Sequence, residues 1–270
     1  MTITSQLENA RTNEQWWEAQ AYYSSEASPD ARVRRWFERH LPKRSDWSVI
    51  EIGACPGSNL LTLACSHGYH PVALDFLPAV QRLPAAFRKH GIEDLEVIQE
   101  DFFSFPEDRR FNVVMSFGFI EHFNDAEVVL RKHWALVEDD GYLVVSLPIF
   151  GLMQLALHRL VLTPEKLAEW LRAHNTSIMD MRLFRKWSEG LPDAVIVACG
   201  YSGYMGTWLF SSDPYVRRER RWILWAWKIA SLMPRMLRVS CRLFSPHGLL
   251  VLRRQSATGN GAGARFRKAA

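Results

Sequence analysis

The sequence predicts an α/β fold: a mostly parallel β-sheet with helices on both faces and a helical cap supplied by the two ends of the chain. Three observations carry this reading. Between Val49 and Leu147 short apolar runs alternate with helix-length segments, the rhythm of a sheet whose crossovers cover both faces. The first run, Val49–Ile52, enters a small-residue turn, Gly53-Ala54-Cys55-Pro56-Gly57. The second run ends in a carboxylate, Asp75, 22 residues after Gly53. A buried strand, a glycine turn, a helix and a strand tipped by an acid form the layout of a nucleotide-binding βαβ unit. Glycines there let the backbone approach a ligand closely, and the acid can accept hydrogen bonds from a ribose diol.

The elements follow in order. Asn13 to Tyr23 reads as a helix carrying Trp16, Trp17, Tyr22 and Tyr23, and Pro29 to Leu41 as another with Val33, Trp36, Phe37 and Leu41 on its apolar face. After strand one, Pro56-Gly57-Ser58 opens a helix through Cys65, and Gly68 stands where a left-handed stop belongs. Strand two is Pro71–Leu74, followed by a helix from about Leu77 to His90 ending at Gly91. Strand three, Leu95–Gln99, closes on Glu100-Asp101-Phe102-Phe103, and strand four, Phe111–Ser116, on Phe117-Gly118-Phe119-Ile120-Glu121-His122. Asn124 is expected to cap the next helix, to Leu136, and an Asp139-Asp140-Gly141 turn to deliver strand five, Tyr142–Leu147. Beyond Pro148 the rhythm breaks. Thr163 caps a helix over Pro164 to Ala173, a second runs from about Ser177 to Ser188, and strand-like runs remain at Ala194–Ala198 and Gly248–Leu252. Between those runs lies an aromatic, basic helical block, about Val216 to Arg242, interrupted at Pro234.

The expected organisation is therefore a helical lid over 1–45, a cofactor-binding core over 46–150, a remainder with substrate-cap insertions over 151–254, and a disordered Gly/Ala/Arg-rich tail over 255–270. The 270 residues are 48% hydrophobic with mixed charge, the composition of a soluble globular protein. The polar N-terminus lacks a signal-peptide core. The longest apolar stretch, Trp222–Met233, contains Lys228 and is too short to span a bilayer. Cys55, Cys65, Cys199 and Cys241 show no framework spacing and read as reduced thiols in a cytoplasmic protein. Charge is divided unevenly. From Pro214 onward there are 13 Lys/Arg and one acid, Glu219, whereas the first 213 residues hold 20 basic and 28 acidic groups. A basic end on an acidic body points to an anionic partner.

The glycine pattern selects among nucleotides. A dinucleotide site requires G-x-G-x-x-G so that a pyrophosphate can sit on the helix N-terminus. Here Cys55 holds the middle place, and Glu51 stands two residues before Gly53. A carboxylate there disfavours pyrophosphate and suits a positively charged ligand. Glu51-x-Gly53-x-x-x-Gly57 resembles motif I of the class I S-adenosylmethionine-dependent methyltransferases. The later strand ends extend the resemblance: Asp75 after strand two, Asp101 with Phe102 after strand three, and the segment from Phe117 to Glu121-His122 after strand four. It covers about Trp47 to Pro148 and a final strand at Gly248–Leu252, with Cys55 and Asn112 as departures from the usual Gly and Asp.

The resemblance implies a Rossmann-like seven-stranded sheet with an antiparallel last strand, and S-adenosyl-L-methionine as cofactor. It implies that Glu51, Gly53, Ala54, Gly57 and Phe117 line the cofactor, that Asp75 holds the ribose, and that Asp101 binds the adenine amino group while Phe102 packs on its ring. His122 is the candidate catalytic base, since an imidazole titrates near neutrality. The alternative is that it only hydrogen-bonds a loop backbone. His158, His174, Tyr201 and Tyr204 are weaker candidates, His70, His90 and His133 are assigned to helix ends or a helix face, and no His/Cys/Asp cluster shows metal-ligand spacing.

The expected reaction is methyl transfer to an oxygen or nitrogen of a small or carrier-linked metabolite, sugar- or lipid-like. Tyr201 to Trp208, glycine-punctuated and aromatic, is a candidate pocket wall or an ordinary loop. Residues 217–242, with tryptophans among arginines, are expected either to rest on an anionic membrane at its inner face or to be buried against the main domain or in a homodimer. A dehydrogenase is disfavoured by the missing glycine and by Glu51, and nucleic-acid methylation by the absence of an N-P-P-Y-type tetrapeptide. The rival outside enzymes is a cofactor-binding or membrane-peripheral scaffold without turnover.

Overall fold

The computed structural model describes residues 26–207, 209, 213 and 215–256. Seven strands form one sheet: β1 (Ser48–Ile52), β2 (His70–Asp75), β3 (Glu96–Gln99), β4 (Phe111–Phe117), β5 (Val137–Pro148), β6 (Ala194–Ser202) and β7 (His247–Arg254), in the spatial order β3-β2-β1-β4-β5-β7-β6. β1 to β5 pair in parallel, and β7 enters antiparallel between β5 and β6. The order reverses between β1 and β4, the switch point where open α/β sheets bind ligands beyond their carboxyl ends.

Period-two alternation divides the core. Ile50, Ile52, Leu74, Val114, Val145 and Leu252 face one side, whereas Val49, Ala73, Val113, Met115, Val144 and Val251 face the other. On the second side lie α1 (Ala31–His40), α2 (Ser58–His67) and α3 (Leu83–Arg88), contributing Phe37, Leu60 and Phe87. On the first side lie α4 (Ala126–Ala135) and, after the helix pair α5 (Leu152–Val161) and α6 (Pro164–Ala173), α7 (Met181–Glu189), with Leu130, Trp134 and Phe184. A separate small core joins α5 to α8 (Arg221–Ala230) through Leu157, Val161, Leu162, Leu209, Val216 and Leu224. A short α9 (Leu232–Met236) follows.

Several boundaries differ from expectation for physical reasons. The helix expected from Leu77 to His90 is a 3-10 turn, Pro78–Arg82, and then α3, because Pro84 cannot donate to the preceding turn and starts a new helix. α4 is capped by Asp125, whose carboxylate accepts from the Val128 N–H at 3.2 Å, and not by Asn124. Asp139-Asp140-Gly141 is not a free turn. It lies inside β5, where a register shift opposite Phe111/Val113 absorbs the left-handed Asp140 (φ 60°). α7 starts at Met181, after a 3-10 turn at Thr176–Ile178, because Asp180 caps it through the Arg182 N–H. β6 continues through Tyr201-Ser202, so the expected loop begins two residues later. The basic block breaks at Ser231, and Pro234 sits within the first turn of α9, where no N–H is needed. His70 opens β2 beside Asp94 at 2.6 Å instead of ending a helix. Asn13 to Tyr23, Trp208 and the tail beyond Ser256 lie outside the described residues.

Candidate functional site

The turn after β1 is built for close approach. Gly53 and Ala54 both donate their N–H to the Leu74 carbonyl, at 2.9 and 3.2 Å, which fixes the chain against the end of β2. Gly53 adopts φ +68°, and a Cβ there would lie 2.8 Å from Phe119 Cδ2. Gly57 adopts φ +89°, and its Cβ would meet Leu83 Cδ2 at 2.9 Å. Only glycine meets both the backbone and the space requirements at these positions. The register sets Ile52 level with Leu74 and Ser116, so Gly53, Asp75 and Phe117 emerge along one edge of the sheet.

Two buried carboxylates organise that edge. Asp75 accepts the Cys55 N–H on Oδ2 at 2.9 Å and the Leu77 N–H on Oδ1 at 3.0 Å, so it ties the glycine turn to the turn after β2. Burial raises its pKa above 3.8, against the pull of those two donors. Glu51 reaches from β1 to the start of α2, where Oε2 accepts the Leu60 N–H at 3.0 Å and Oε1 the Asn59 side-chain amide at 3.5 Å. Burial pushes its pKa from 4.5 to about 8. The helix N-terminus that a pyrophosphate would occupy is therefore already held by a carboxylate of the chain itself.

The remaining expected residues separate. Asp101 is exposed and accepts the Phe103 N–H at 2.8 Å. Phe102, expected to cover a purine, is instead buried, with Phe119 edge-on at 5.6 Å, His133 at 4.7 Å and the Lys132 ammonium over its ring at 5.5 Å. The turn that follows β3, closed by the Ser104 and Phe105 N–H groups on the Asp101 carbonyl, sets Phe102 inward while Asp101 stays outside. Phe117 is half-buried and packs edge-on against Phe37 of α1 at 6.1 Å. Phe119, which no sequence pattern singles out, is the ring lying over Gly53.

His122 lies in a 3-10 turn, Ile120–His122, just beyond β4. It is 5% exposed, its Nδ1 is 2.8 Å from the Ala173 carbonyl, and burial lowers its pKa well below 6.5. Although no cluster was expected, the structure brings Glu121, His122 and His174 together, each offering a ligand atom within 4.8 Å of the others. Sequence spacing misses the group because His174 arrives from the C-terminal end of α6, 52 residues on. The Glu121-His122 pair was the only local signal. Tyr201 and Tyr204 do not join it: the Tyr201 hydroxyl is 3.5 Å from Asp180, and the Tyr204 N–H donates to Ser240 Oγ.

The basic block has one buried side, where Leu224 is fully covered and Ile223 and Trp227 pack against the small core, and one exposed side. Trp222 is 67%, Trp225 68% and Met236 82% exposed, and Arg218, Lys228, Arg235 and Arg238 are exposed around them. Arg217 and Arg220 are committed inward, donating to the Leu162 and Leu160 carbonyls at 2.8 and 3.0 Å. No helix among the described residues is long and apolar enough to cross a membrane.

A family model described as "Methyltransferase domain" matches residues 23–185, more than half of the chain. No curated protein matches it in sequence. Among solved structures it is similar to coclaurine N-methyltransferase bound to N-methylheliamine and S-adenosylhomocysteine (14% identity, TM-score 0.55, covering 83% of this chain and 72% of that one). It is also similar to a methyltransferase dependent on S-adenosylmethionine from Thiobacillus denitrificans in complex with S-adenosyl-L-homocysteine (15%, TM-score 0.53, 84% and 92%). A third is geranyl diphosphate C-methyltransferase from Streptomyces coelicolor A3(2) (11%, TM-score 0.53, 83% and 76%).

Proposed function

The chain belongs to the methyltransferase-domain family, and from that premise we propose that it transfers a methyl group from S-adenosylmethionine to an oxygen or nitrogen of a small or carrier-linked metabolite. The observation that carries the cofactor choice is Glu51 on the N-terminus of α2. It removes the anion site a dinucleotide needs and leaves a glycine turn suited to a cationic, phosphate-free ligand. In this reading Gly53, Ala54 and Gly57 form the wall against the cofactor, Asp75 takes the ribose hydroxyls, Asp101 the adenine amino group, and Phe117 supports the edge. Phe102 acts from behind, holding Phe119 over Gly53, and Phe119 moves to admit the ligand. A sulfonium is already an excellent leaving group, so the protein's task is to align the acceptor behind the methyl and to exclude water. Burial depresses the basicity of His122 and its Nδ1 is engaged, which favours a backbone-holding role for it over that of the base. The similar structures include one named for N-methylation and one for C-methylation, so the fold leaves the acceptor atom open. Calorimetry tests the reading. S-adenosylhomocysteine should bind and NAD should not. Tight NAD binding with no response to either methyl-donor ligand would sink it.

We further propose that the acceptor is lipid-like or lipid-linked and is reached at an anionic bilayer through residues 217–242. The helical insertions of 151–254 would then close over it. The support is the exposure of Trp222, Trp225 and Met236 within a shell of exposed Lys and Arg, tryptophans for the headgroup level and cations for anionic lipid. Each such cation near the surface contributes about 1 kcal/mol. The protein should co-sediment with phosphatidylserine-containing vesicles at low salt, less at high salt, and not after Arg218, Lys228, Arg235 and Arg238 are changed to Glu. Wild-type protein left in the supernatant at low salt would make the face a homodimer contact, read by analytical ultracentrifugation.

A further inference from the structure

We propose that Glu121, His122 and His174 form a binding site for one divalent transition-metal ion. The groups come from two segments held in register by hydrogen bonds. The Asn175 N–H donates to the Glu121 carbonyl at 2.6 Å, Asn175 Nδ2 donates to the Phe123 carbonyl at 3.0 Å, and His122 Nδ1 meets the Ala173 carbonyl at 2.8 Å. His174 Nδ1 in turn meets the Trp170 carbonyl at 2.7 Å. A metal-ligating histidine characteristically gives its other ring N–H to a backbone carbonyl, which fixes the tautomer and aims the remaining lone pair. In both rings Nδ1 meets such a carbonyl, and the ring centroids are 4.8 Å apart.

The carboxylate supplies the second, independent indication. Glu121 is 1% exposed, and its Oε2 has no hydrogen-bond partner. Its Oε1 is 3.8 Å from His122 Nε2, too far for a hydrogen bond. The Gly118 backbone is a further hydrogen-bonding neighbour of the His122 ring. The cluster thus gathers carboxylate oxygens and imidazole nitrogens around a point that needs positive charge. Burying a carboxylate without a partner is costly, and a cation relieves it. Two imidazoles and one carboxylate are the donor set of zinc and of iron- or cobalt-type ions, with positions left open. Ligand atoms on a tetrahedral ion stand about 3.3–3.6 Å apart, as follows from bonds of about 2.0–2.2 Å. The present span of up to 4.8 Å requires only a modest closure of side chains.

The cluster follows β4 on the carboxyl edge, beside the Phe119 that covers Gly53. An ion there would orient an oxygen of the acceptor through its open positions, in place of a side-chain base. That use rests on the methyl-transfer reading, whereas the binding itself does not.

The test uses untagged full-length protein stripped with chelator and then titrated with Co²⁺ by visible absorption and with Zn²⁺ by calorimetry. One equivalent should bind, with cobalt bands of a nitrogen- and oxygen-ligated site, and Glu121→Gln or His174→Gln should weaken binding at least tenfold while circular dichroism stays that of the wild type. No binding by wild-type protein, or equal affinity in folded variants, overturns the site. Where a variant fails to fold, the wild-type stoichiometry decides by itself. S-adenosylhomocysteine binding to the stripped protein is measured separately, so that its absence counts against the methyl-transfer reading and leaves the metal site standing.

Discussion

The carboxyl edge of β1 to β4 and the helical block after β6 depart from ordinary protein chemistry in opposite directions. The edge buries what is usually exposed: Glu51, Asp75, Glu121 and His122 are all inside. The block exposes what is usually buried, with Trp222, Trp225, Met233 and Met236 facing outward. Buried polar groups are tolerated when backbone donors are arranged for them, and Glu51 and Asp75 meet that condition through Leu60, Cys55 and Leu77. Exposed apolar groups need no internal arrangement and are retained for what they meet outside. Substitutions at the edge should therefore damage binding and folding together, whereas those on the exposed face of the block should leave folding alone.

Gly53→Val should have the largest effect. A β-branched residue at φ +68° costs on the order of 1–2 kcal/mol in backbone strain alone, and its side chain enters the space of Phe119. Affinity for S-adenosylhomocysteine should fall at least a hundredfold by calorimetry, together with Tm. Unchanged affinity would remove the turn from the cofactor site. Asp75→Ala comes next. It deprives the Cys55 and Leu77 N–H groups of their acceptor and should cost about 1–3 kcal/mol in ligand binding, roughly five- to 150-fold. Loss of stability without loss of affinity would confine Asp75 to holding the turns.

Much of this edge is legible in the sequence because its signals are local. Gly53, Gly57 and Asp75 sit at strand ends that hydrophobic periodicity defines, and the Thr163 cap and the helix it starts are read from adjacent residues. The antiparallel last strand came with the family resemblance, since no local pattern sets strand direction. What escapes depends on which way a side chain turns or on a partner far along the chain. Phe102 and Asp101 are neighbours, yet one is buried and the other exposed. His174 joins Glu121 only because Asn175 fastens the end of α6 to the turn beyond β4. The exposure of α8 was equally out of reach, because its apolar residues are continuous and only the packing of Leu224 shows which of them face inward.

A milder effect sharpens the electrostatic half of the comparison. Glu51 has its pKa raised from 4.5 to about 8 by burial, so between those values the folded protein binds more protons than the unfolded chain. Its contribution to stability is greatest below about pH 4.5 and declines as pH rises towards 8, with a limiting slope of about 1.4 kcal/mol per pH unit. Glu51→Gln keeps an acceptor for the Leu60 N–H and removes the ionisation. Urea midpoints at pH 5.5 and 8 should therefore differ less in the variant than in the wild type. Equal pH dependence in the two proteins would mean that the α2 N-terminus holds Glu51 charged throughout.

The smallest effect is expected in the block. Trp222→Ser with Trp225→Ser removes two large side chains that are about two-thirds exposed. Leu224 between them is fully buried and remains in the small core with Leu157 and Val161. Equilibrium unfolding should therefore shift by no more than about 0.5 kcal/mol, the usual range for surface changes, whereas Leu224→Ala should cost about 2–5 kcal/mol as a buried truncation. Vesicle binding should respond in the reverse order, falling in the double tryptophan variant and persisting in folded Leu224→Ala. A large stability loss in the double variant would show that the tryptophans are covered in the folded protein, and the membrane reading of the block would then fail with it.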